Sequence, residues 1–353
     1  MGFWVGWRND ALVFDFNGCA DWFGKARWCR HRCNSVFHKV QGLRMKTVVC
    51  FHDANPSGAS LWLLRFLQSG SLDPARTVAI LPGPSAMEAE LKAAGIRVRV
   101  VPTTGSAITS AGAGGIVRLL LNRALAVERY RRAFRSELPD VIYVNSSVQV
   151  APMIGAARAG RPLFVHVHEG WRSGAAHPLK RWCVRNLANA CAFAAEQGRV
   201  LFGDAPPGTS WEVSPNGVDP ALGELRHRRS ELRVEFGWKP EERIVLFLGT
   251  LTRRKGLHDL LDCWPKFRAE YPAARLVVAG GTASDEKHPA LVAFAKEQPA
   301  GSTFLGFRKD APELLAAADF FILPSYGEAM PVSISEAMMI GTPVIARLVG
   351  DVA

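Results

Sequence analysis

The stretch RIVLFLGTLTRRKGLHDLL, residues 243–261, moves from one kind of order to another within nineteen residues. RIVLFLG (243–249) is apolar without alternation, which marks a strand buried on both faces rather than one lying half in water. A glycine, a short loop and three consecutive cations follow, and then LHDLL opens a helix-period segment. Strand, loop and helix of this kind are the repeating unit of a parallel sheet wrapped on both sides.

The same unit recurs along the chain. ARLVVAGG (274–281), STFLG (302–306), DFFILP (319–324) and PVIA (343–346) read as further strands of the same sheet. Upstream, KTVVCFH (46–52), TVAILP (77–82), RVRVVP (97–102), DVIYVN (140–145) and PLFVHVHE (162–169) read as a separate set, with helix-period segments at 58–68, 85–94 and 113–136 between them. A charged, irregular segment after WEVSPNGVDP (211–220) divides the two sets. The expected fold class is therefore α/β, with two Rossmann-like, doubly wound parallel-sheet domains over residues 45–215 and 216–353. Ligands of such sheets bind outside the carboxyl ends of the strands, so a cleft between the domains is the expected site.

Composition narrows the function. The 353 residues are 48% hydrophobic and 21% charged, with no apolar run near the ~20 residues that cross a bilayer. The N-terminus lacks a signal-peptide pattern, and seven scattered cysteines suit a reducing compartment, so a cytoplasmic location is expected. The net charge of +11 is modest once the first 44 residues are set apart; their seven Lys/Arg against three Asp leave +7 for the other 309. No zinc-finger spacing or aromatic RNA-binding signature is present, and no nucleic-acid partner is expected. Residues 1–44 hold four of the ten tryptophans and no sustained period, and are expected to be an extension outside the fold. Cys29, His31, Cys33 and His38 match no zinc spacing, and no metal site is expected.

Neither G-x-G-x-x-G after a strand nor G-x-x-x-x-G-K-[ST] occurs, which disfavours a dinucleotide dehydrogenase and a P-loop enzyme. After the first strand, DANPSGAS (53–60) places Gly58 at a helix start, where it either lets backbone N–H groups approach a phosphate or makes a tight turn. Arg253, Arg254 and Lys255 lie at a strand's carboxyl end, where fixed cations stabilise a departing diphosphate; the alternative is a solvated loop. FVHVHEG (164–170) sets His166 and His168 on one side of a strand. His168, nearer its end, is the better candidate to exchange hydrogen bonds or protons with a sugar hydroxyl, against a purely structural histidine.

GEAMPVSISEAMMIGTPVIA (327–346) carries Glu328 and Glu336. Pro331 rules out one continuous helix through both. Glu328 is expected in a loop and Glu336 in the first turn of a helix ended by Gly341 and Pro343. SISE (333–336) also reads as a capping box, in which Glu336 serves only the backbone of Ser333.

In order, SGAS (57–60), PNGVD (215–219), FLGTLTRRKGLHDLL (247–261) and GFRKDAPELLAAADFFILPSYGEAMPVSISEAMMIGTPVIA (306–346) resemble the family 4 retaining glycosyltransferases of the GT-B fold. The resemblance runs from about Met45 to the C-terminus, and the E-x7-E pair with its EAMxxGTPVIA tail is its most specific part. It implies transfer of a sugar from a nucleotide diphosphate donor, with retention, without a cofactor or required metal. It implies that Glu328 contacts the donor sugar, with the backbone of Ala329 and Met330 beside sugar and phosphate, and that Glu336 accepts from the ribose. Lys255 and Arg254 would neutralise the diphosphate, Gly58 would bring backbone against it, and His168 would lie beside sugar and acceptor. The implied partners are the donor and a saccharide or lipid-linked acceptor of envelope or exopolysaccharide synthesis. The arginine-rich helix 113–136 (Arg118, Arg123, Arg129, Arg131, Arg132, Arg135) suggests peripheral contact with an anionic membrane, or else a solvated face.

Departures from the family pattern temper this. Thr250 stands where an arginine is common, ACAFAAEQ (190–197) lacks a usual serine, and the sequence stops at LVGDVA, so a truncated second domain is expected. The rival readings are a non-catalytic nucleotide-binding remnant and another GT-B enzyme such as a nucleotide-sugar epimerase.

Overall fold

A computed structural model describes residues 7–8, 11–13, 45–54, 58–103, 113–169, 177–282 and 288–352. The chain divides into two compact units, the division falling between Asn216 and Gly217.

The unit ending at Asn216 is built on a seven-stranded parallel sheet ordered Arg97–Val100, Thr77–Leu81, Thr47–Cys50, Val141–Asn145, Leu163–Val167, Ala190–Phe193 and Ser210–Val213. The central strands are buried along their whole length, as unalternating apolar runs require when both faces are covered. One cover contains Val48, Ile80, Tyr130, Phe134 and Val165, and the other Val49, Phe51, Leu63, Leu67 and Leu91. At the edge, RVRV (97–100) is not buried, and its arginines find a carboxylate. Arg97 and Arg99 both donate to Glu137 at the end of the helix Ala113–Glu137, with Lys46 3.7 Å away. Burial opposes ionisation of Glu137, but the two guanidiniums outweigh it and hold its pKa below the ordinary 4.5. On that helix Arg131 and Arg132 both bond Glu128, and Arg129 donates to the Pro102 carbonyl, which is the behaviour of a solvated face. Leu121 and Leu125, 58% and 53% exposed, lie near Arg123 on the same helix.

The other unit has five parallel strands ordered Val344–Arg347, Phe320–Leu323, Arg243–Leu248, Ala274–Ala279 and Ser302–Phe304. Two short strands, Trp7–Arg8 and Ala11–Val13, extend this sheet antiparallel beside Val344–Arg347. Within residues 1–44, expected to be an extension, Ala11–Val13 thus pairs with backbone groups that an edge strand would otherwise leave unpaired. Cys29, His31, Cys33 and His38 lie outside the described residues. Asp319, at the start of its strand, accepts from Arg229, Arg233 and the Ile244 N–H, tying two strand starts together.

Candidate active site

In the C-terminal unit the cations and Glu328 are brought together. Gly256 takes φ +73°, and a Cβ there would come within 2.0 Å of the Pro324 carbonyl, so only glycine lets the loop carrying Arg254 and Lys255 lie against the loop after Phe320–Leu323. Tyr326 N–H donates to the Arg254 carbonyl at 2.8 Å. Across that contact Lys255 Nζ donates to Glu328 Oε1 at 2.7 Å, and Arg254 Nη1 donates to the same oxygen at 3.1 Å and to the Gly327 carbonyl at 2.6 Å. Burial, with Arg254 beside it, pushes the Lys255 pKa down, and Glu328 opposes the fall. Of the three consecutive cations, the structure gives the contact with Glu328 to Arg254 and Lys255.

The loop bearing Glu328 is held from two further sides. Tyr326 Oη donates to Asp259 Oδ2 at 2.6 Å, Arg347 Nη2 donates to the same oxygen at 2.7 Å, and the Arg347 guanidinium lies 4.0 Å from the Tyr326 ring centroid. Asp351 N–H donates to the Ala329 carbonyl at 2.9 Å. Gly350, at φ +62°, passes so close that a Cβ would meet the Glu328 carbonyl at 2.2 Å. None of Asp259, Tyr326, Arg347 and Gly350 was a sequence candidate; only the GD after the last strand hinted at a turn.

Glu336 is buried on the helix Val332–Ile340, whose N-cap is Pro331 and whose C-cap Gly341 is left-handed at φ +90°. The helix thus begins one residue before Ser333, and Glu336 falls in its second turn. Two expectations are corrected: Glu336 is not in the first turn, and Ser333 is not the N-cap a capping box needs. Proline's fixed φ suits the residue that enters a helix, and here it displaces serine from that place. Ala329 is buried and Met330 half-buried in the same loop.

In the N-terminal unit Gly58 opens the helix Gly58–Gln68. Its φ is not left-handed, and a Cβ there would meet nothing within 4 Å, so neither a strained turn nor packing requires glycine at this place. His166 is fully buried, bonded through Nδ1 to Tyr143 Oη at 2.7 Å, and burial pushes its pKa down to about 3. His168 follows the strand end, partly exposed, with Nε2 2.7 Å from Asn145 Oδ1. Burial first, and then the neighbouring His166 and His52, hold its pKa well below 6.5 and keep it neutral. Trp62 packs on both rings, at 4.8 Å from His166 and 5.5 Å from His168. Glu169 accepts from Ser146 Oγ and from Ser147 N–H and Oγ, and Ser146 sits at φ +120°, a strained backbone that this staple sustains. Among the described residues no group of three or more His, Cys, Asp and Glu is arranged to hold a metal ion.

Two family models match the chain: "Glycosyl transferase 4-like domain" over residues 74–195 and "Glycosyl transferases group 1" over residues 242–353, together more than half of it. The chain has the GT-B fold, its C-terminal part matching the group 1 glycosyl transferases and the part before it a glycosyl transferase 4-like domain. Among curated proteins, the chain is 30% identical over 247 residues to the glycogen synthase of Mycobacterium tuberculosis, covering 61% of this chain and 54% of that one. To the D-inositol 3-phosphate glycosyltransferase of Mycobacterium marinum it is 27% identical over 302 residues, 65% of this chain and 64% of that one. It therefore spans roughly half to two thirds of these relatives' lengths. A crystal structure of Anabaena Alr3699/HepE in complex with UDP and glucose matches its fold with a TM-score of 0.68 at 23% identity, covering 87% of this chain and 82% of that one.

Proposed function

We propose that the chain moves a sugar from a nucleotide diphosphate donor to an acceptor hydroxyl with retention of configuration. The observation that carries this reading is the convergence of Lys255, Arg254 and Glu328 on one point at the carboxyl ends of the strands. Two cations there can take the two phosphates as charge builds on the leaving group, and the carboxylate they hold can take the sugar's hydroxyls. Glu336 is assigned to the ribose, and the backbone of Ala329 and Met330 to sugar and phosphate. Gly58, with no local reason to be glycine, is assigned to close backbone approach at a helix N-terminus.

In this reading the bond from the anomeric carbon to the phosphate oxygen breaks while the acceptor oxygen bonds the same carbon from the same face. The acceptor's proton passes to the departing phosphate. No cofactor is assigned; the donor is a substrate and the cations do the electrostatic work. His168, neutral and at a strand end, is assigned to a hydroxyl of the sugar or acceptor. The acceptor is proposed to be a saccharide, free or lipid-linked, of envelope or exopolysaccharide synthesis, with Leu121, Leu125 and Arg132, which lie along one side of their helix, as the face that would meet an anionic membrane.

Release of nucleotide diphosphate by the purified chain tests this, with uridine, guanosine and adenosine diphosphate-sugars as donors and acceptors supplied free or in anionic vesicles. UDP-glucose is the first donor to try, because a fold relative was crystallised with it. Release that depends on acceptor is expected; binding without turnover would reduce the chain to a nucleotide-binding protein, and release without acceptor would favour an epimerase-like or hydrolytic reaction. A rate indifferent to vesicles would remove the membrane from the proposal.

A further inference from the structure

Asn145 ends the strand Val141–Asn145 and is fully buried, a costly place for an amide unless both of its ends are bonded. They are. Nδ2 donates to the Ala59 carbonyl at 3.0 Å, in the first turn of the helix Gly58–Gln68, and Oδ1 lies 2.7 Å from His168 Nε2. The alternative amide orientation would set oxygen against the Ala59 carbonyl oxygen, so the assignment is fixed by chemistry. Oδ1 can only accept, and His168 Nε2 must therefore carry the hydrogen. The lone pair is left on Nδ1, which bonds no other described residue.

We propose that Asn145 is a positioning residue that locks His168 as the neutral Nε2–H tautomer, so that Nδ1 is presented as a hydrogen-bond acceptor to a substrate hydroxyl. This rests on the glycosyl-transfer reading for the identity of the hydroxyl, but not for the tautomer. Trp62 against both histidine rings resists the ring rotation that would exchange the two nitrogens. The same amide joins His168 to the helix that Gly58 opens, so acceptor nitrogen and helix start are set by one side chain.

The test is a long-range ¹⁵N–¹H correlation spectrum of the histidine-labelled full chain near neutral pH, with the His168 resonances assigned by their loss in His168→Gln. A neutral ring protonated on Nε2 is expected. An Nδ1–H tautomer, or an imidazolium at neutral pH, would overturn the proposal before any variant of Asn145 is needed. Asn145→Leu, close in volume, should give a mixture of tautomers and lower the transfer rate about tenfold or more at unchanged donor affinity. An unmixed Nε2–H tautomer in that variant, or a mixed one with full turnover, would equally refute it. Because the spectrum is recorded without substrate, failure of the tautomer and failure of the glycosyltransferase reading give different results.

Discussion

Glu328→Gln is expected to lower sugar transfer by roughly 10²–10³-fold while leaving nucleotide diphosphate affinity within a few-fold of the parent. Glutamine keeps the volume and one acceptor for Lys255 but removes the charge that the sugar's hydroxyls would meet. It also removes the anion that both Lys255 and Arg254 hold, so the diphosphate meets cations no longer engaged by a carboxylate. The cost should appear in stability. Lys255 has its pKa lowered by burial, and Glu328 is the group that opposes the fall. Its loss should cost about 1–3 kcal/mol, the scale of leaving a buried donor poorly paired. Turnover, nucleotide titration and a melting curve on one preparation separate these effects. Parallel loss of turnover and affinity would mean that Glu328 arranges the binding loop rather than meeting the sugar.

Glu336→Ala has the opposite signature. A ribose hydrogen-bonded to a carboxylate is worth about 1.5–3 kcal/mol, and each 1.4 kcal/mol is tenfold, so nucleotide affinity should fall about 10- to 100-fold. Alanine is the better helix former, and Pro331 rather than Ser333 caps this helix, so loss of a capping box is not among the expected costs. Turnover at saturating donor should change little. A lower melting temperature with unchanged affinity would return Glu336 to a structural role.

The strands that organise the fold were legible because they are buried on both faces: after the exposed Arg243, IVLFL (244–248) is buried throughout, and so is TVAIL. SWEV (210–213) was not called a strand, since it lies at the sheet edge and mixes serine and glutamate into the run. Trp7–Arg8 and Ala11–Val13 are too short to show a period. At the site, Glu328, Glu336, Lys255 and His168 were read from motif and position at strand ends. Their partners were not, because Asn145 with His168, Asp259 with Tyr326 and Arg347, and Gly350 with Glu328 meet through space across 22 to 88 residues of sequence. The start of the Glu336 helix was misplaced for a local reason: serine is the commoner cap, and a proline that also satisfies the entry geometry was read only as a breaker.

The central claim, that the C-terminal unit grips the donor through Arg254, Lys255, Glu328 and Glu336, is tested most directly by a crystal structure of the full chain with a nucleotide diphosphate. The account predicts diphosphate oxygens within hydrogen-bonding distance of Lys255 Nζ and the Arg254 guanidinium, and ribose hydroxyls donating to Glu336. A nucleotide bound away from these residues, with Glu336 untouched, would contradict it.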